Sequence, residues 1–215
     1  MDGTAYVPAE VDVSIRPSWF YHPEEDARVK TVAELWDLYF HSVGRNSVLL
    51  LNFPPDKRGL IADIDARRVD SLHKLIIGTF RTNLAAGATI RSLHSRGARY
   101  QPSNMVDGLE STYYATADAC NTDTITFDLG RAKTFDVLML QEVIQLGQRT
   151  TGWSVDYSTN GRDWAPIPEA SGKQTIGYKW LARFKPVTAT HVRLRITSGK
   201  ACIAIHTFGI YKEGY

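Results

Sequence analysis

The chain has 215 residues, of which 43% are hydrophobic and 22% are charged. This composition is typical of a folded protein of one or two domains, and it excludes a disordered or fibrous chain. A formal net charge of +2 is too small to indicate nucleic-acid binding, and no apolar run approaches the roughly 20 residues that a membrane-spanning helix needs.

The sequence shows neither a targeting signal nor a cysteine framework. Residues 1–4 are polar and no apolar segment follows them, so no signal peptide is visible. Cys120 and Cys202 are the two cysteines, and their spacing fits no zinc motif. They form one disulfide or none, and the sequence leaves both alternatives open.

Residues 8–26 predict a short strand followed by a loop dense in polar and aromatic groups. Residues 11–15 alternate apolar and polar side chains, as a pleated strand does, and Pro17 ends the run because it has no N–H. The loop then supplies a cation, aromatic rings, an imidazole and carboxylates: Arg16, Trp19, Tyr21, His22, Glu24, Glu25 and Asp26. Such groups past the carboxyl end of a strand favour a polar-ligand pocket in an α/β fold. The alternative is a solvated loop with some aromatic rings in the core.

A helix is predicted next. Thr31 and Glu34 form a capping box, in which each side chain satisfies the other residue's unpaired N–H group. The apolar residues that follow recur at helical spacing and predict a helix over residues 31–43. Gly44 is expected to end this helix in the left-handed conformation.

The next segments predict a second strand and a second helix. Residues 47–52 are a continuous apolar run, which is typical of a strand buried on both faces of a parallel sheet. Asp63 is expected to cap a helix that ends near residue 85. Residues 8–86 therefore predict two βα units, and two units alone cannot close a barrel.

After Gly87 the pattern changes to short apolar runs between turn residues. The predicted strands cover residues 124–129, 135–141, 152–158, 176–184, 191–197 and 201–211. Asn160 and Gly161 are the pair that type I′ hairpin turns favour. The pattern indicates an antiparallel β-sandwich. We therefore predict an α/β domain over residues 1–87 and an all-β domain over residues 88–215.

Several of these segments resemble a known family. Residues 7–17 (VPAEVDVSIRP), 19–22 (WFYH), 42–46 (SVGRN) and 49–52 (LLLN) resemble the C-terminal third of the catalytic (β/α) barrel of glycoside hydrolase family 29, in the branch of 1,3/1,4-specific α-L-fucosidases. The second half is similar to the coagulation-factor type C module, a discoidin-like jelly roll. Its matching segments are 102–108 (PSNMVDG), 126–130 (TFDLG), 135–138 (FDVL) and 141–149 (QEVIQLGQR).

The resemblance implies that the chain is part of an enzyme. The intact protein would hydrolyse terminal α-1,3/1,4-linked L-fucose from oligosaccharides or glycoprotein glycans by a retaining mechanism that uses two carboxylates. In the family both carboxylates precede the matched segment, so we expect this chain alone to be inactive. No metal or organic cofactor is expected for the chemistry. We expect no nucleic-acid or membrane partner, and family members are usually secreted, periplasmic or extracellular. An incomplete barrel also leaves an unpaired strand, which favours self-association.

The resemblance gives no catalytic pair here, but it suggests site residues in the first half. Glu25 and Glu10 are weak acid/base candidates, with salt-bridge roles as the alternative. Arg16 is a candidate to bind a sugar hydroxyl or to brace a carboxylate. Trp19 is a candidate to stack on a pyranose ring or simply to pack, and His22 is a candidate donor to a sugar hydroxyl.

The second half has candidates for a metal and for glycan binding. Discoidin-like modules often hold a structural calcium in a loop around an Asp-Gly pair, and Asp107 and Thr112 occupy that position here. Tyr113 and Tyr114 are candidates for a glycan-stacking face. An alternative function is therefore a stand-alone glycan-binding sandwich with a vestigial barrel remnant. A third is a sandwich that only supports the barrel.

Overall fold

The computed structural model describes residues 5, 7, 9–172 and 175–214, so Pro8 in the first matched segment lies outside the described residues. Contacts divide the chain into two compact units. One is formed chiefly by residues 7–80, here called the α/β unit, and the other chiefly by residues 81–213, here called the sandwich unit. The division between domains near residue 87 stays a prediction. Residues 81–87 group with the sandwich unit, and Ala85 is fully buried in its core.

The α/β unit confirms the predicted order of two βα units. Strand β1 (Ala9–Ser14) pairs in parallel with β2 (Ser47–Asn52), with Ala9 opposite Ser47 and Ser14 opposite Asn52. Helix α1 (Val32–His41) lies between the strands in sequence, and helix α2 (Asp63–Phe80) follows β2. Neither helix, within the described residues, is long and apolar enough to cross a membrane.

The observed helix ends agree with the sequence prediction at the start of α1 and differ from it at the ends of α1 and α2. The capping box at Thr31 is confirmed, since Glu34 N–H donates to Thr31 Oγ1 at 3.2 Å and Thr31 N–H donates to Glu34 Oε2 at 2.7 Å. The prediction that Gly44 ends the helix in the left-handed conformation is wrong, because Asn46 is the residue after α1 that takes a positive φ, of 68°. Asn tolerates this conformation better than other residues with a side chain. Helix α2 ends at Phe80, earlier than expected.

The β2 strand is not buried on both faces as the apolar run suggests. Val48 and Leu50 are each 51% exposed, while their neighbours along the strand are half-buried. Successive side chains on a strand point to opposite faces, so one apolar face of β2 is open to solvent. The physical reason is that the two-stranded sheet and its helices supply too few apolar side chains to cover both faces.

Within its described residues the sandwich unit contains seven strands, and all their pairings are antiparallel. The strands are β3 (Thr89–Arg91), β4 (Tyr114–Ala115), β5 (Asp123–Glu142), β6 (Thr150–Ser158), β7 (Ala165–Gly172), β8 (Trp180–Gly199) and β9 (Ala204–Tyr211). Their order is β4-β9-β5-β8-β6-β7, with β3 also paired to β5. The predicted all-β second half is confirmed.

Two pairs of predicted strands are continuous in the structure. The segments 124–129 and 135–141 form the single strand β5, and the segments 176–184 and 191–197 fall largely within β8. Register shifts interrupt the β5–β8 ladder between Asp128 and Lys133 and again between Phe135 and Val137. Such irregularities bend a strand without ending it. The long strands can therefore take part in both layers of a sandwich.

The turn at residues 159–162 is not type I′. Gly161 has a φ of 71°, but Asn160 does not take a positive φ, which a type I′ turn requires at both central residues. Instead the Asn160 side-chain oxygen accepts hydrogen bonds from the backbone N–H groups of Arg162 and Asp163, each at 2.9 Å. The side chain therefore organises a longer connection between β6 and β7.

The core of the sandwich unit is apolar and aromatic. The rings of Phe127 and Phe208 stack with their centroids 4.0 Å apart, and both residues are fully buried. Trp153 meets Trp180 edge to face at 5.5 Å. Fully burying a large apolar side chain stabilises a fold by roughly 1.5–3 kcal/mol, so this core gives the loops around it a rigid base.

Candidate functional site

Arg16 occupies a buried position in the loop that follows β1 (residues 15–31, the β1 loop). Its guanidinium donates from Nε to Asp65 Oδ2 and from Nη1 to Asp26 Oδ1, each at 2.8 Å. It also lies over the Tyr21 ring, 4.7 Å from the centroid. Burial acts to lower the pKa of Arg16, but hydrogen bonds and charge from Asp65 and Asp26 outweigh it and raise the pKa above its ordinary value. Arg16 therefore braces two carboxylates in this structure, and sugar binding by Arg16 stays a prediction.

Glu25 is also held inside the β1 loop. It is 5% exposed, and it accepts hydrogen bonds from Ser18 N–H at 3.2 Å and Ser18 Oγ at 2.6 Å. The side-chain hydrogen bond from Ser18 is the main cause that lowers the Glu25 pKa. A general acid needs a raised pKa at neutral pH, so this environment suits a structural carboxylate. Glu10 lies near the other end of β1, opposite Val48, and the structure does not bring it together with Glu25.

Trp19 and His22 are exposed on the same loop. Trp19 is 51% exposed. The backbone oxygen of Trp19 accepts a 3.0 Å hydrogen bond from Asn52 Nδ2 at the end of β2. His22 Nδ1 lies 3.8 Å from Glu24 Oε1. The carboxyl ends of β1 and β2 thus meet at a fixed loop that leaves an aromatic ring accessible. That arrangement suits stacking against the apolar face of a sugar.

Two residues that position this loop were missed in the sequence. Asp65 is fully buried and lies 49 residues after Arg16 in the chain, so no local spacing reveals the pair. The apolar run predicts Asn52 as the end of a strand, but it does not predict the hydrogen bonds that Asn52 donates to Trp19 and Ser14. A buried aspartate on the second helix has no distinguishing pattern in the sequence.

A cavity of about 520 Å³ lies beside the β1 loop, within the α/β unit. Three of its charged lining groups are paired with one another, since Arg58 Nη2 lies 2.7 Å from Asp56 Oδ2 and 3.0 Å from Asp63 Oδ1. The hydrogen bond from Arg58 is the main cause that lowers the Asp56 pKa. The charges of Asp56, Arg58 and Asp63 are therefore compensated without a ligand.

The predicted calcium loop is closed by its own hydrogen bonds. Asp107 Oδ1 accepts from Leu109 N–H at 2.8 Å, and Asp107 Oδ2 accepts from Thr112 Oγ1 at 2.6 Å. Among the described residues, no three His, Cys, Asp or Glu side chains gather as metal ligands. A calcium site takes six to eight oxygens, and backbone carbonyls count among them, so these side-chain contacts do not test the site. Calcium at Asp107 and Thr112 stays a prediction of the sequence.

The two predicted glycan-stacking tyrosines are separated by the structure. Tyr114 is fully buried, and its hydroxyl contacts Asp123 and lies 2.6 Å from Ser92 Oγ. No ring face of Tyr114 is left for a sugar, because the residue is 0% exposed and belongs to the core cluster of the sandwich unit. Tyr113 is half-buried, packs 5.1 Å from the Tyr100 ring, and lines a cleft.

This cleft, called the sandwich cleft, has a volume of about 510 Å³. It is lined by side chains from four separate parts of the sandwich unit, among them Glu110, Tyr113, Gln141, Leu146, Tyr178 and His206. The segment 141–149, which resembles the type C module, forms part of one wall. Tyr178 and His206 were missed in the sequence, because each is far along the chain from Tyr113 and lies in no recognisable motif.

Two protein families match the chain, one on each side of the change in sequence pattern near Gly87. The F5/8 type C domain family matches residues 88–207. The alpha-L-fucosidase family matches residues 3–76. The two matches together account for most of the sequence.

Individual relatives match both parts at once. A Bacteroides thetaiotaomicron crystal structure, provisionally named an α-L-fucosidase, is 57% identical with a TM-score of 0.96, over 99% of this chain and 46% of that one. A Ruminococcus gnavus family 29 fucosidase, solved with bound fucose, is 36% identical with a TM-score of 0.90, over 99% of this chain and 42% of that one. Alpha-L-fucosidase 1 of Arabidopsis thaliana is 31% identical over 99% of this chain. The chain spans 42% of that plant protein's length.

Proposed function

We propose that this chain is part of an enzyme that hydrolyses terminal α-linked L-fucose from glycans. The chain belongs to the F5/8 type C family through its sandwich unit. Over its whole length it corresponds to the C-terminal part of glycoside hydrolase family 29 α-L-fucosidases. The observation that supports this proposal most is the continuous match across both units. A match confined to the sandwich unit would have supported only a binding module.

The proposed reaction is retaining hydrolysis of α-1,3/1,4-linked fucose. Retaining glycosidases place two carboxyl groups about 5–5.5 Å apart, one as nucleophile and one as acid/base. Glu10 lies near the start of β1, whereas Glu25 lies in the loop after its other end and is hydrogen-bonded to Ser18. We therefore assign the catalytic pair to the part of the enzyme outside these 215 residues. The isolated chain is then expected to be inactive.

In this proposal the β1 loop supplies one wall of the fucose pocket. Trp19 would stack on the sugar, and His22 would donate to a hydroxyl group. Arg16, held between Asp65 and Asp26, would fix the loop that carries both. Asn52 would fix the backbone of Trp19 through its 3.0 Å hydrogen bond. Preorganised side chains of this kind spare the ordering cost of ligand binding.

A chimera tests the proposal directly. The C-terminal part of the Ruminococcus gnavus fucosidase would be replaced by this chain, and the chimera assayed with fucose in α-1,3, α-1,4 and α-1,2 linkage. We expect hydrolysis of the first two and little of the third. Trp19→Ala should lower kcat/KM by about tenfold, equivalent to about 1.4 kcal/mol of transition-state binding.

The control is Leu93→Ala, since Leu93 is 90% exposed and belongs to the sandwich unit. It should leave kcat/KM unchanged. A chimera that folds with a normal melting profile but hydrolyses no fucoside would overturn the proposed activity. A chimera that prefers the α-1,2 linkage would overturn only the linkage.

A further inference from the structure

We propose that Asn160 is a site of spontaneous deamidation, and that the hydroxyl group of Ser158 keeps it unreactive in the folded chain. Asn160 is the only asparagine in the sequence that precedes a glycine. Asparagine is a thermolabile residue, and a following glycine has no side chain to hinder attack on it. The pair lies between β6 and β7, outside the β1 loop, so the inference does not depend on the proposed hydrolysis.

The reaction uses the backbone nitrogen of Gly161 as its nucleophile. This nitrogen loses its proton and forms a bond to Cγ of Asn160, and the side-chain nitrogen of Asn160 leaves as ammonia. The product is a succinimide ring. Water then opens the ring at either carbonyl carbon, which gives aspartate or isoaspartate. Water is consumed and ammonia is released, and no oxidant or reductant takes part.

The nucleophile is held by Ser158 in the folded chain. Ser158 is 2% exposed, and its Oγ accepts from the backbone N–H groups of Gly161 at 2.9 Å and Asn160 at 3.2 Å. The same Oγ donates to Asn160 Oδ1 at 3.1 Å. A hydroxyl group has one donor and two acceptor positions, so these bonds use its full capacity. Deprotonation of Gly161 would break one of them, and the contact therefore opposes the first step.

The side-chain amide of Asn160 is also fixed by the residues that follow. Its Nδ2 donates to Asp163 Oδ2 at 2.8 Å, and its Oδ1 accepts from the backbone N–H groups of Arg162 and Asp163, each at 2.9 Å. Departure of Nδ2 as ammonia breaks the bond to Asp163. Each hydrogen bond lost in this way raises the barrier to the reaction.

The turn requires the glycine that makes Asn160 labile. Gly161 has a φ of 71°, which residues with a side chain rarely adopt. A Cβ at this position would also lie 3.1 Å from His191 Nε2. The sequence therefore keeps a labile pair for its geometry, and Ser158 provides the protection.

Deamidation is expected to open this connection. The amide that donates to Asp163 would be replaced by a carboxylate, so that two negative charges would face each other where a hydrogen bond now forms. Isoaspartate would in addition lengthen the backbone of the turn. Either product removes a contact that holds residues 159–163 in place.

The first experiment compares deamidation in the folded and the denatured chain by peptide mapping with mass spectrometry, in mildly alkaline buffer. In denaturant, Asn160 should react faster than Asn121, which threonine follows. In the folded chain, Asn160 should react at least about tenfold more slowly than in denaturant, because ring closure must break hydrogen bonds. Asn160 no faster than Asn121 in denaturant would refute the site. Equal rates in the folded and denatured chain would refute its protection.

Variants then test the role of Ser158. Ser158→Ala should raise the rate in the folded chain by about fivefold, as loss of a hydrogen bond of ordinary strength predicts. Thr190→Val is the matched control, because Thr190 Oγ1 donates to the backbone oxygen of Ser158 at 3.4 Å and its loss leaves Ser158 Oγ in place. It should react like the unchanged chain. Equal rates in Ser158→Ala and the unchanged chain would show that Ser158 gives no protection.

Urea separates local opening from global unfolding. Below the unfolding transition, urea should leave the rate in Ser158→Ala unchanged, because a turn opens without exposing much surface. A rate that rises steeply with urea would assign the faster reaction to global unfolding and would contradict the role of Ser158.

Asn160→Asp tests the consequence of the modification. Hydrogen exchange of residues 159–163 should become faster in this variant. Asn121→Asp introduces the same charge elsewhere and should leave the exchange of these residues as it is in the unchanged chain. Unaltered exchange in Asn160→Asp would show that deamidation does not open the connection, whatever the outcome of the fucosidase chimera.

Discussion

The α/β unit buries an ion pair where the sandwich unit buries aromatic rings. Arg16 and Asp65 are among the least exposed side chains of the α/β unit, together with Trp36 on α1. Among the largest fully buried side chains of the sandwich unit are the aromatic residues Phe127 and Phe208. The α/β unit thus combines a small aromatic cluster on its helices with an ion pair whose two side chains are both fully buried. The sandwich unit also pairs the buried Asp156 with Arg193 and Arg195, but both arginines keep part of their side chains in solvent, and its apolar core is spread over many more side chains.

This difference teaches which unit tolerates change. A buried ion pair contributes little net stability, but removal of one partner leaves a buried charge without compensation. A large apolar core loses only the area and contacts of the side chain removed. The α/β unit also leaves Val48 and Leu50 half exposed. We infer that the sandwich unit is the independently stable part and that the α/β unit is easily disturbed.

The two units also titrate at opposite ends of the pH scale. In the α/β unit, hydrogen bonds from Ser18 and Arg58 lower the pKa values of Glu25 and Asp56. In the sandwich unit, burial raises the pKa of Tyr211 to about 12 and also raises the pKa of Tyr114. The first unit should therefore weaken in acid and the second in alkali.

The largest expected effect comes from Phe208→Ala in the sandwich core. Loss of a buried phenylalanine costs about 3–5 kcal/mol, and this total includes its stacked contact with Phe127. Hydrogen exchange should show lost protection across β5 and β8. The matched control, Leu93→Ala, should change stability by less than about 0.5 kcal/mol. Equal loss of protection in α1 and α2 would show that the units do not unfold separately.

Asp65→Asn should have nearly as large an effect, confined to the α/β unit. Breaking a buried ion pair by removal of one partner costs about 3–5 kcal/mol. Asp63→Asn is the matched control on the same helix, because Asp63 pairs with Arg58 at an exposed position. Hydrogen exchange in β1 and α1 should rise in the first variant alone. If the combined variant Arg16→Met with Asp65→Leu is no more stable than Asp65→Asn, an uncompensated charge is not the cause.

The elements that could be predicted from the sequence are those that local patterns encode. The capping box at Thr31 and the parallel strands were found because their signals span only a few residues. The strand β7 was missed because Pro166 and Pro168 argue against a strand. It lies at the edge of the sheet, where proline is tolerated because one side of an edge strand needs no ladder hydrogen bonds.

The site residues were harder to predict than the elements. Arg16, Glu25 and Tyr114 were selected for their chemistry, but the structure gives each of them buried partners. The contacts that decide exposure join residues far apart in the chain, as between Arg16 and Asp65. Tyr178 is a single tyrosine in a loop, and only the fold places it beside Tyr113 in the sandwich cleft.

The third prediction uses alkaline pH to separate the units. Tyr211 is 4% exposed, and its pKa of about 12 in the folded state exceeds its ordinary value of 10.0. The folded state then keeps a proton that the unfolded state loses, so stability is full below pH 10 and falls as the pH rises toward 12. Two pKa units correspond to about 3 kcal/mol. Thermal melting of the sandwich unit at a series of pH values measures this loss.

The matched variants for this titration are Tyr211→Phe and Tyr178→Phe. The first should reduce the alkaline loss and leave the part that comes from Tyr114, whose pKa is also raised. The second alters an exposed tyrosine and should leave the whole loss in place. In acid the sign reverses, since Glu25 and Asp56 have lowered pKa values and lose their contribution as the pH falls through those values. The α/β unit should then lose hydrogen-exchange protection first. Earlier loss in the sandwich unit would contradict the comparison.

The smallest effect on stability is expected for Leu50→Lys, although its effect on association should be clear. Leu50 is 51% exposed on β2, so a lysine there should change folding stability by less than about 0.5 kcal/mol. Exposed apolar strand surface promotes association between copies, and charge on it prevents this. Sedimentation velocity should therefore show concentration-dependent oligomers of the unchanged chain that Leu50→Lys removes. Leu93→Lys introduces the same charge at an isolated exposed leucine of the sandwich unit and should not dissociate them. If it dissociates them equally, association depends on net charge rather than on the open face of β2.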